Sequence, residues 1–202
     1  MSAAKREPAA AHARTRIGVF GGTFDPVHNA HLALAQHART ALGLARVLWL
    51  PTGQPPYRAA PVAPAAHRVA MLRLALGAAP GNEIDERELD AAHSGYTVDT
   101  LEQLQKGLGA RDELVLLIGA DQYAKLASWH RADELPRLAR LAVFARPGAP
   151  LAAPAEGVDI VPMAPLDVSS SDIRRRVAGG GDIASLVPPA VLDYIQQQGL
   201  YR

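Results

Sequence analysis

Arg16-Ile17-Gly18-Val19-Phe20-Gly21-Gly22-Thr23-Phe24-Asp25-Pro26-Val27-His28-Asn29-Ala30-His31 changes character twice along its length. Ile17, Val19 and Phe20 read as a short buried strand. Gly21 and Gly22 then let the backbone turn tightly and approach a ligand that side chains would hold off. Asp25-Pro26 is a turn signal, and Asn29 is expected to cap a helix running from Ala30 to Leu42. The order is strand, glycine turn, helix start, with His28 and His31 at i and i+3 facing one side near the first turn. First-turn N–H groups with two imidazoles beside them form an anion site, and phosphate is the anion that suits it.

The same stretch and the composition exclude several readings. The third glycine of G-x-G-x-x-G is missing and no G-K-[ST] follows, so neither the dinucleotide fingerprint nor the P-loop fits. Two histidines three apart can ligate a metal. No cysteine and no nearby Glu-x-x-His support them, so no metal ligand is assigned. The absence of cysteine also removes disulfides and thiol nucleophiles. A chain of 202 residues, 49% hydrophobic and 20% charged, suits one soluble globular domain. Its net charge of +1 argues against a nucleic-acid surface, so phosphate recognition should be local. No apolar run approaches the ~20 residues of a membrane span, and a cytoplasmic protein with no membrane partner is expected. Residues 1–15 are rich in Ala and carry Lys5, Arg6, Arg14, Glu7 and Pro8. They read as a disordered extension rather than a transit peptide, ahead of a domain over 16–202.

Outward from the opening stretch, strands and helices alternate. Ala45 to Leu50 reads as a strand stopped by Pro51, with Trp49 in the core. A proline-bearing loop covers 52–64, and a helix from His67 to Leu76 carries apolar Val69, Leu72 and Leu76. Ile84 to Leu89 alternates weakly and is expected as an outer strand. Gly95 turns into a helix opened by Thr97 and ending near Gly107. Glu113 to Ala120 is the clearest buried strand, and Asp121 follows at its carboxyl end, where open α/β sheets bind ligands. Arg140 to Ala145 and Val158 to Val161 are further strands. In Asp167 to Val177, Ser169, Ser170 and Ser171 offer hydroxyls and N–H groups at a helix start, with Arg174 one turn on. Gly179-Gly180-Gly181 ends that helix, and Pro188-Pro189 opens another. The pattern implies an α/β fold, a Rossmann-like doubly wound parallel sheet in a single domain.

Gly21-Gly22-Thr23-Phe24-Asp25-Pro26-x-His28-x-x-His31 resembles the opening motif of the nucleotidyltransferase superfamily, which usually ends His-x-Gly-His; here Ala30 stands for the glycine. Val168-Ser169-Ser170-Ser171-Asp172-Ile173-Arg174 resembles its second motif, Ile-Ser-Ser-Thr-x-Ile-Arg. Tyr96-Thr97-x-Asp99-Thr100-Leu101 is similar to the mononucleotide-binding segment of the bacterial nicotinate-nucleotide adenylyltransferases, the branch that the first motif most resembles.

The resemblance implies transfer of AMP from ATP to nicotinate mononucleotide, giving deamido-NAD and pyrophosphate, with Mg²⁺ brought on ATP. It implies that His28, His31 and Arg174 are catalytic, and that Gly21, Gly22, Thr23, Phe24, Ser169, Ser170, Arg58 and Asp121 bind ATP. Tyr96, Thr97 and Trp129 would take the mononucleotide. Arg58 lies in Pro55-Pro56-Tyr57-Arg58, where the family has Pro-Pro-His-Lys, and a solvated loop arginine is the other reading. Asp121 and Thr97 can equally cap helices, and Trp129 can simply bury itself over a helix end. The N–H groups of the helix that Thr97 opens would favour a nicotinate carboxylate over a neutral amide. Transfer to another acceptor such as phosphopantetheine stays open, as does a non-catalytic nucleotide-binding regulator. A regulator would most simply have lost His31 or Arg174, and both are present. The oligomeric state is left open.

Overall fold

A computed structural model describes residues 14–53, 60–145, 156–164 and 166–202. Of the extension expected over 1–15, residues 1–13 lie outside the described residues, as does Arg58, while Thr15 is already the first residue of a strand. Six strands form one parallel sheet: β1 (Thr15–Gly22), β2 (Arg46–Pro51), β3 (Asn82–Ile84), β4 (Asp112–Gly119), β5 (Arg140–Ala145) and β6 (Val158–Pro162). Their spatial order is β3-β2-β1-β4-β5-β6. In register, Val19 lies between Leu48 of β2 and Leu116 of β4.

The strands are near-continuous apolar runs because both faces of the sheet are covered. Ile17, Val19, Leu114, Leu116 and Ile118 pack in one cluster with Val98, Leu101 and Leu104 of α3 (Thr97–Gln105) and Leu135 of α5 (Leu135–Leu138). Alternate positions, including Phe20, Val47, Trp49, Val115 and Leu117, pack in the other. There they meet Ala35 and Ala38 of α1 (Asn29–Leu42), Met71 and Leu72 of α2 (Ala65–Leu76), Ile173 of α6 (Ser170–Ala178), and Val191 and Ile195 of α7 (Pro189–Gln198). The remaining short helix, α4 (Ala120–Tyr123), follows β4. The expected doubly wound α/β sheet is what the chain adopts. Its winding reverses between β1 and β4, and a crevice opens there outside the carboxyl ends of the strands.

Three local expectations are corrected. His28, not Asn29, is the N-cap of α1, and the Asn29 N–H donates to the Leu186 carbonyl at 2.9 Å. That amide is therefore not free for an anion. Thr97 is the first helical residue of α3, and Tyr96 is its cap. The outer strand is Asn82–Ile84 rather than 84–89, because the Asp85 carboxylate accepts from both the backbone N–H and the guanidinium of Arg87 and turns the chain into a 3₁₀ helix, Arg87–Leu89.

Where β2 ends, the backbone of Gly53 packs on that turn so closely that an added Cβ would stand 2.2 Å from the Glu88 carbonyl oxygen. Gly53→Ala should therefore force the two segments apart and destabilise the protein by about 1–3 kcal/mol, the usual range for overpacking. The measurement is the urea midpoint at unchanged m-value. A midpoint equal to that of the parent would show that the turn yields freely.

Candidate active site

A cleft of about 470 Å³ occupies the crevice at the β1/β4 switch point. Val19 to Gly22 at the end of β1 and Leu116 to Gly119 at the end of β4 line its floor. Thr52, Glu88, Thr97, Trp129, Ser170, Ser171 and Arg174 also line it, so loops from across the chain converge on the place that sheet topology designates.

The two glycines that follow Phe20 do different work. A Cβ on Gly21 would meet nothing within 4 Å, which leaves open cleft beside that backbone. A Cβ on Gly22 would stand 2.9 Å from the Phe24 ring. Phe24 is left-handed (φ 49) and 1% exposed, with its ring set edge-on to Phe20 and His31 and tilted against Trp49. Burial of that ring fixes the turn carrying Thr23 and Asp25.

His28 and His31 stack face to face, with ring centroids 3.7 Å apart and planes 21° apart. The backbone N–H of His28 donates to His31 Nδ1 at 3.2 Å, which puts the proton of a neutral His31 on Nε2. His31 lines the cleft; His28 lies behind it, 5% exposed. Among the described residues His28 Nδ1 has no hydrogen-bond partner. Burial pushes the His28 imidazole down to about 4. Burial, and secondarily the neighbouring His28, hold His31 well below the ordinary imidazole range. Both rings are neutral at pH 7.

The serine segment docks directly on the glycine turn. Ser170 Oγ donates to the Pro26 carbonyl at 2.9 Å, and Arg174 Nη1 donates to the Asp25 carbonyl at 2.6 Å. Ser169 is the N-cap of α6, its hydroxyl accepting from the Asp172 N–H at 3.2 Å. Ser171 Oγ accepts from Arg174 Nη2 at 3.4 Å, so the start of α6 presents to the cleft the Ser171–Arg174 pair together with the remaining first-turn N–H groups. The buried Asp25 carboxylate accepts from the N–H groups of Val62 (2.7 Å) and Ala63 (3.2 Å) and from the Tyr201 hydroxyl (2.7 Å). Arg68, 2% exposed, donates to the carbonyls of Thr23 (2.7 Å) and Ala63 (3.2 Å). Burial lowers its pKa, and the nearby Asp25 charge works against that.

Another group of lining residues gathers around α3. Thr97, Thr100, Glu88 and Trp129 line the cleft, and Thr100 Oγ1 donates to Glu88 Oε1 at 2.7 Å. Burial raises the Glu88 carboxyl, and the Thr100 hydrogen bond opposes the rise. Trp129 is half-buried and packs on the same cluster as α3. The loop that carries it is tied to α3 by a Tyr96–His130 ring stack (4.1 Å) and by Arg131, which meets Asp99 at 3.1 Å and Glu102 at 2.5 Å.

Of the residues singled out from sequence, the cleft is lined by Gly21, Gly22, Thr23, Phe24, His31, Thr97, Trp129, Ser170 and Arg174. His28 is stacked behind His31, Ser169 is exposed at the N-cap of α6, and Tyr96 is turned onto His130. Asp121 is exposed in the first turn of α4, while its neighbours Gly119 and Gln122 do line the cleft. Sequence reasoning missed Glu88, Arg68 and Tyr201, and it quoted Thr100 in the mononucleotide segment without giving it a role. Arg68 left a signal, a charge four residues before Leu72 and eight before Leu76 on the buried stripe of α2; Tyr201 left none.

Among the described residues no group of three or more acidic or imidazole side chains gathers as a metal site, and no helix is long and apolar enough to cross a membrane. Residues 19–176 match the family described as Cytidylyltransferase-like. A protein of Laribacter hongkongensis named "Probable nicotinate-nucleotide adenylyltransferase" is 45% identical, over 94% of this chain and 96% of its own length. A protein of Chromobacterium violaceum with the same name is 44% identical, over 93% and 99%. The solved structure of Plasmodium falciparum nicotinic acid mononucleotide adenylyltransferase complexed with NaAD shares the fold, with a TM-score of 0.77 at 18% identity over 93% of this chain and 97% of that one. The chain thus belongs to the cytidylyltransferase-like family and, within it, to the nicotinate-nucleotide adenylyltransferases, a group of nucleotidyltransferase enzymes.

Proposed function

We propose that this protein transfers AMP from ATP to nicotinate mononucleotide, giving deamido-NAD and pyrophosphate. The observation that carries the reading is the docking of the serine segment on the glycine turn at the β1/β4 crevice, through Ser170 to Pro26 and Arg174 to Asp25. The names of the relatives supply the acceptor. In the step, a phosphate oxygen of the mononucleotide bonds to the α-phosphorus of ATP. The bond from that phosphorus to the bridging oxygen breaks, and its electron pair leaves with pyrophosphate. The attacking phosphate is already an anion, so no general base is required. In-line positioning and charge stabilisation carry the rate.

In this reading the open backbone at Gly21 admits the phosphates. His31 donates Nε2–H to the reacting phosphate as a neutral imidazole, and His28, stacked behind it, holds that ring in place. Arg174, Ser171 and the first-turn N–H groups of α6 take the β- and γ-phosphates, with Ser169 and Ser170 holding that turn in place. Thr23 and Phe24 shape the turn. Arg58 is a further phosphate cation, and Asp121 reaches the ribose hydroxyls from the cleft mouth. Trp129 stacks on the pyridine ring, Thr97 presents its N–H to the nicotinate carboxylate, and Tyr96 supports that turn. The phosphate end is lined by donors and a guanidinium, which suit phosphate oxygens rather than a cation. A divalent ion, Mg²⁺ in our reading, would therefore be held by triphosphate oxygens and water, and when bound would neutralise charge on the leaving pyrophosphate. A cytoplasmic location is part of this proposal.

The direct test is pyrophosphate release from ATP with a panel of acceptors. Nicotinate mononucleotide should exceed nicotinamide mononucleotide by about 10- to 150-fold in kcat/KM, since charge-assisted hydrogen bonds at the α3 start favour the acid by ~1.5–3 kcal/mol. Phosphopantetheine should be inert. A preference for the amide or for phosphopantetheine would change the substrate.

His31→Ala should lower kcat by ~10²–10³, equivalent to ~2.7–4 kcal/mol, with smaller changes in substrate affinity. Turnover within about threefold of the parent would make His31 structural.

The buried imidazoles also set a pH dependence of folding. The folded His28 titrates near 4, against 6.5 as the ordinary value, so between these limits the unfolded chain binds the proton and the folded one does not. Stability is full above the upper value and falls toward the lower one, by about 1.4 kcal/mol per pH unit for one such group, with His31 acting in the same sense. Denaturant titrations across this window should show the fall, and His28→Gln should flatten it. An equal slope in the variant would mean that other groups cause it.

A further inference from the structure

We infer that Tyr201 is a positioning residue for the phosphate end of the cleft: its phenol occupies the buried Asp25 carboxylate and so keeps the Arg174 guanidinium, which donates to the Asp25 carbonyl and to Ser171 Oγ at the cleft wall, from closing on that carboxylate instead of meeting the triphosphate. The inference deepens the proposed AMP transfer and rests on it.

Tyr201 lies 176 positions from Asp25, yet its hydroxyl donates to Asp25 Oδ1 at 2.7 Å from a buried site. The backbone is bent to achieve this. Beyond α7, Gly199 is left-handed (φ 61), the Leu200 N–H returns to the Ile195 carbonyl at 3.1 Å, and Tyr201 itself is left-handed at φ 65. A tyrosine takes that conformation only where its surroundings impose it. Burial and the adjacent carboxylate hold the phenol well above its ordinary range, so it stays a protonated donor.

The Asp25 carboxylate is filled atom by atom. Oδ1 accepts from Tyr201 and from the Ala63 N–H, and Oδ2 accepts from the Val62 N–H. Arg174 Nη1 stands 3.9 Å from Oδ2, outside hydrogen-bond range, and donates to the Asp25 carbonyl instead. Arg68, the other guanidinium nearby, is spent on carbonyls of Thr23 and Ala63. A buried carboxylate that loses a donor recruits another. Loss of the phenol leaves Oδ1 with the Ala63 N–H alone, and Arg174, about an ångström beyond hydrogen-bond range of the neighbouring Oδ2, is the guanidinium placed to close on the carboxylate as a charge-assisted ion pair. Asp25 and the ATP phosphates thus compete for one guanidinium, and the phenol sets the outcome.

Tyr201→Phe keeps the ring and removes the hydroxyl. The variant should bind Mg-ATP about tenfold more weakly, in KM and in a direct fluorescence titration, with kcat and the mononucleotide KM within about twofold of the parent. In an Asp25→Asn background, where no carboxylate competes, the same substitution should add less than about twofold. An unchanged ATP affinity in folded Tyr201→Phe overturns the inference. So does an equal loss for both substrates with a lowered melting temperature, which marks a purely structural phenol. Where Asp25→Asn does not fold, the single variant's titration decides alone. Failure of the parent enzyme to adenylylate nicotinate mononucleotide would strike the AMP-transfer reading, while the Mg-ATP titration would still report on Tyr201.

Discussion

The carboxylate of Asp25 is 2% exposed, and the candidate site is built around the need to satisfy it. A buried carboxylate without partners would cost many kcal/mol, so every oxygen lone pair directed inward must find a donor. The donors come from residues 62–63 and from Tyr201, with Arg68 and Arg174 supplying opposing charge nearby. Meeting that one requirement binds the glycine turn, the 60–63 segment, the entrance to α6 and the residues after α7 into a single unit. Phosphoryl-type transfer draws its rate from donors fixed before the substrate arrives. A buried, fully occupied carboxylate is a way to fix them, because shifting any one partner exposes unsatisfied charge in low dielectric.

The histidine pair follows a related logic with the opposite electrostatics. Two imidazoles 3.7 Å apart and shielded from water cannot both carry charge, and desolvation settles the matter in favour of two neutral rings. Neutrality has a use. The backbone of His28 claims His31 Nδ1, so tautomer and ring orientation are set by a contact three residues long, and the remaining proton is a fixed donor that does not switch near neutral pH. Net positive charge in the cleft then comes from guanidinium, which does not titrate in this range.

Much of this was legible in the sequence where the physics is local. Apolar runs bounded by glycine and proline located the strands, and their alternation with helical periods implied the doubly wound sheet. The glycine turn and the serine segment each carry their chemistry within a few neighbours, so both could be read before their meeting was known. Helix starts were misplaced by one residue at His28 and at Tyr96, because neither uses its side chain to cap and both are set by extended backbone angles instead. The 84–89 strand failed for a similar reason, since the Asp85–Arg87 clamp overrides a weak alternation. The short turns between β4 and β5 have no period to detect. Contacts such as Ser170 to Pro26 and Tyr201 to Asp25, 144 and 176 positions apart, are properties of the fold and leave no mark on either segment alone.

The two parts of the cleft are secured by different forces. Around the glycine turn, the ties are hydrogen bonds involving the buried Asp25 and Arg68, little screened by salt. Around α3, the Trp129 loop is held by Arg131, fixed at φ 51 and shared among the carboxylates of Asp99, Glu102 and Glu134 in contact with solvent. Solvent-exposed ion pairs are individually weak and salt-sensitive, so this side yields at lower free energy than the glycine turn does. A triphosphate needs fixed donors at several oxygens at once, whereas an aromatic ring needs one face to stack on and tolerates sliding in the plane. In the proposed reading, rigid burial falls where the triphosphate is held and a looser charged latch where the ring is received, a division set by the carboxylate at Asp25 and the guanidinium at Arg131.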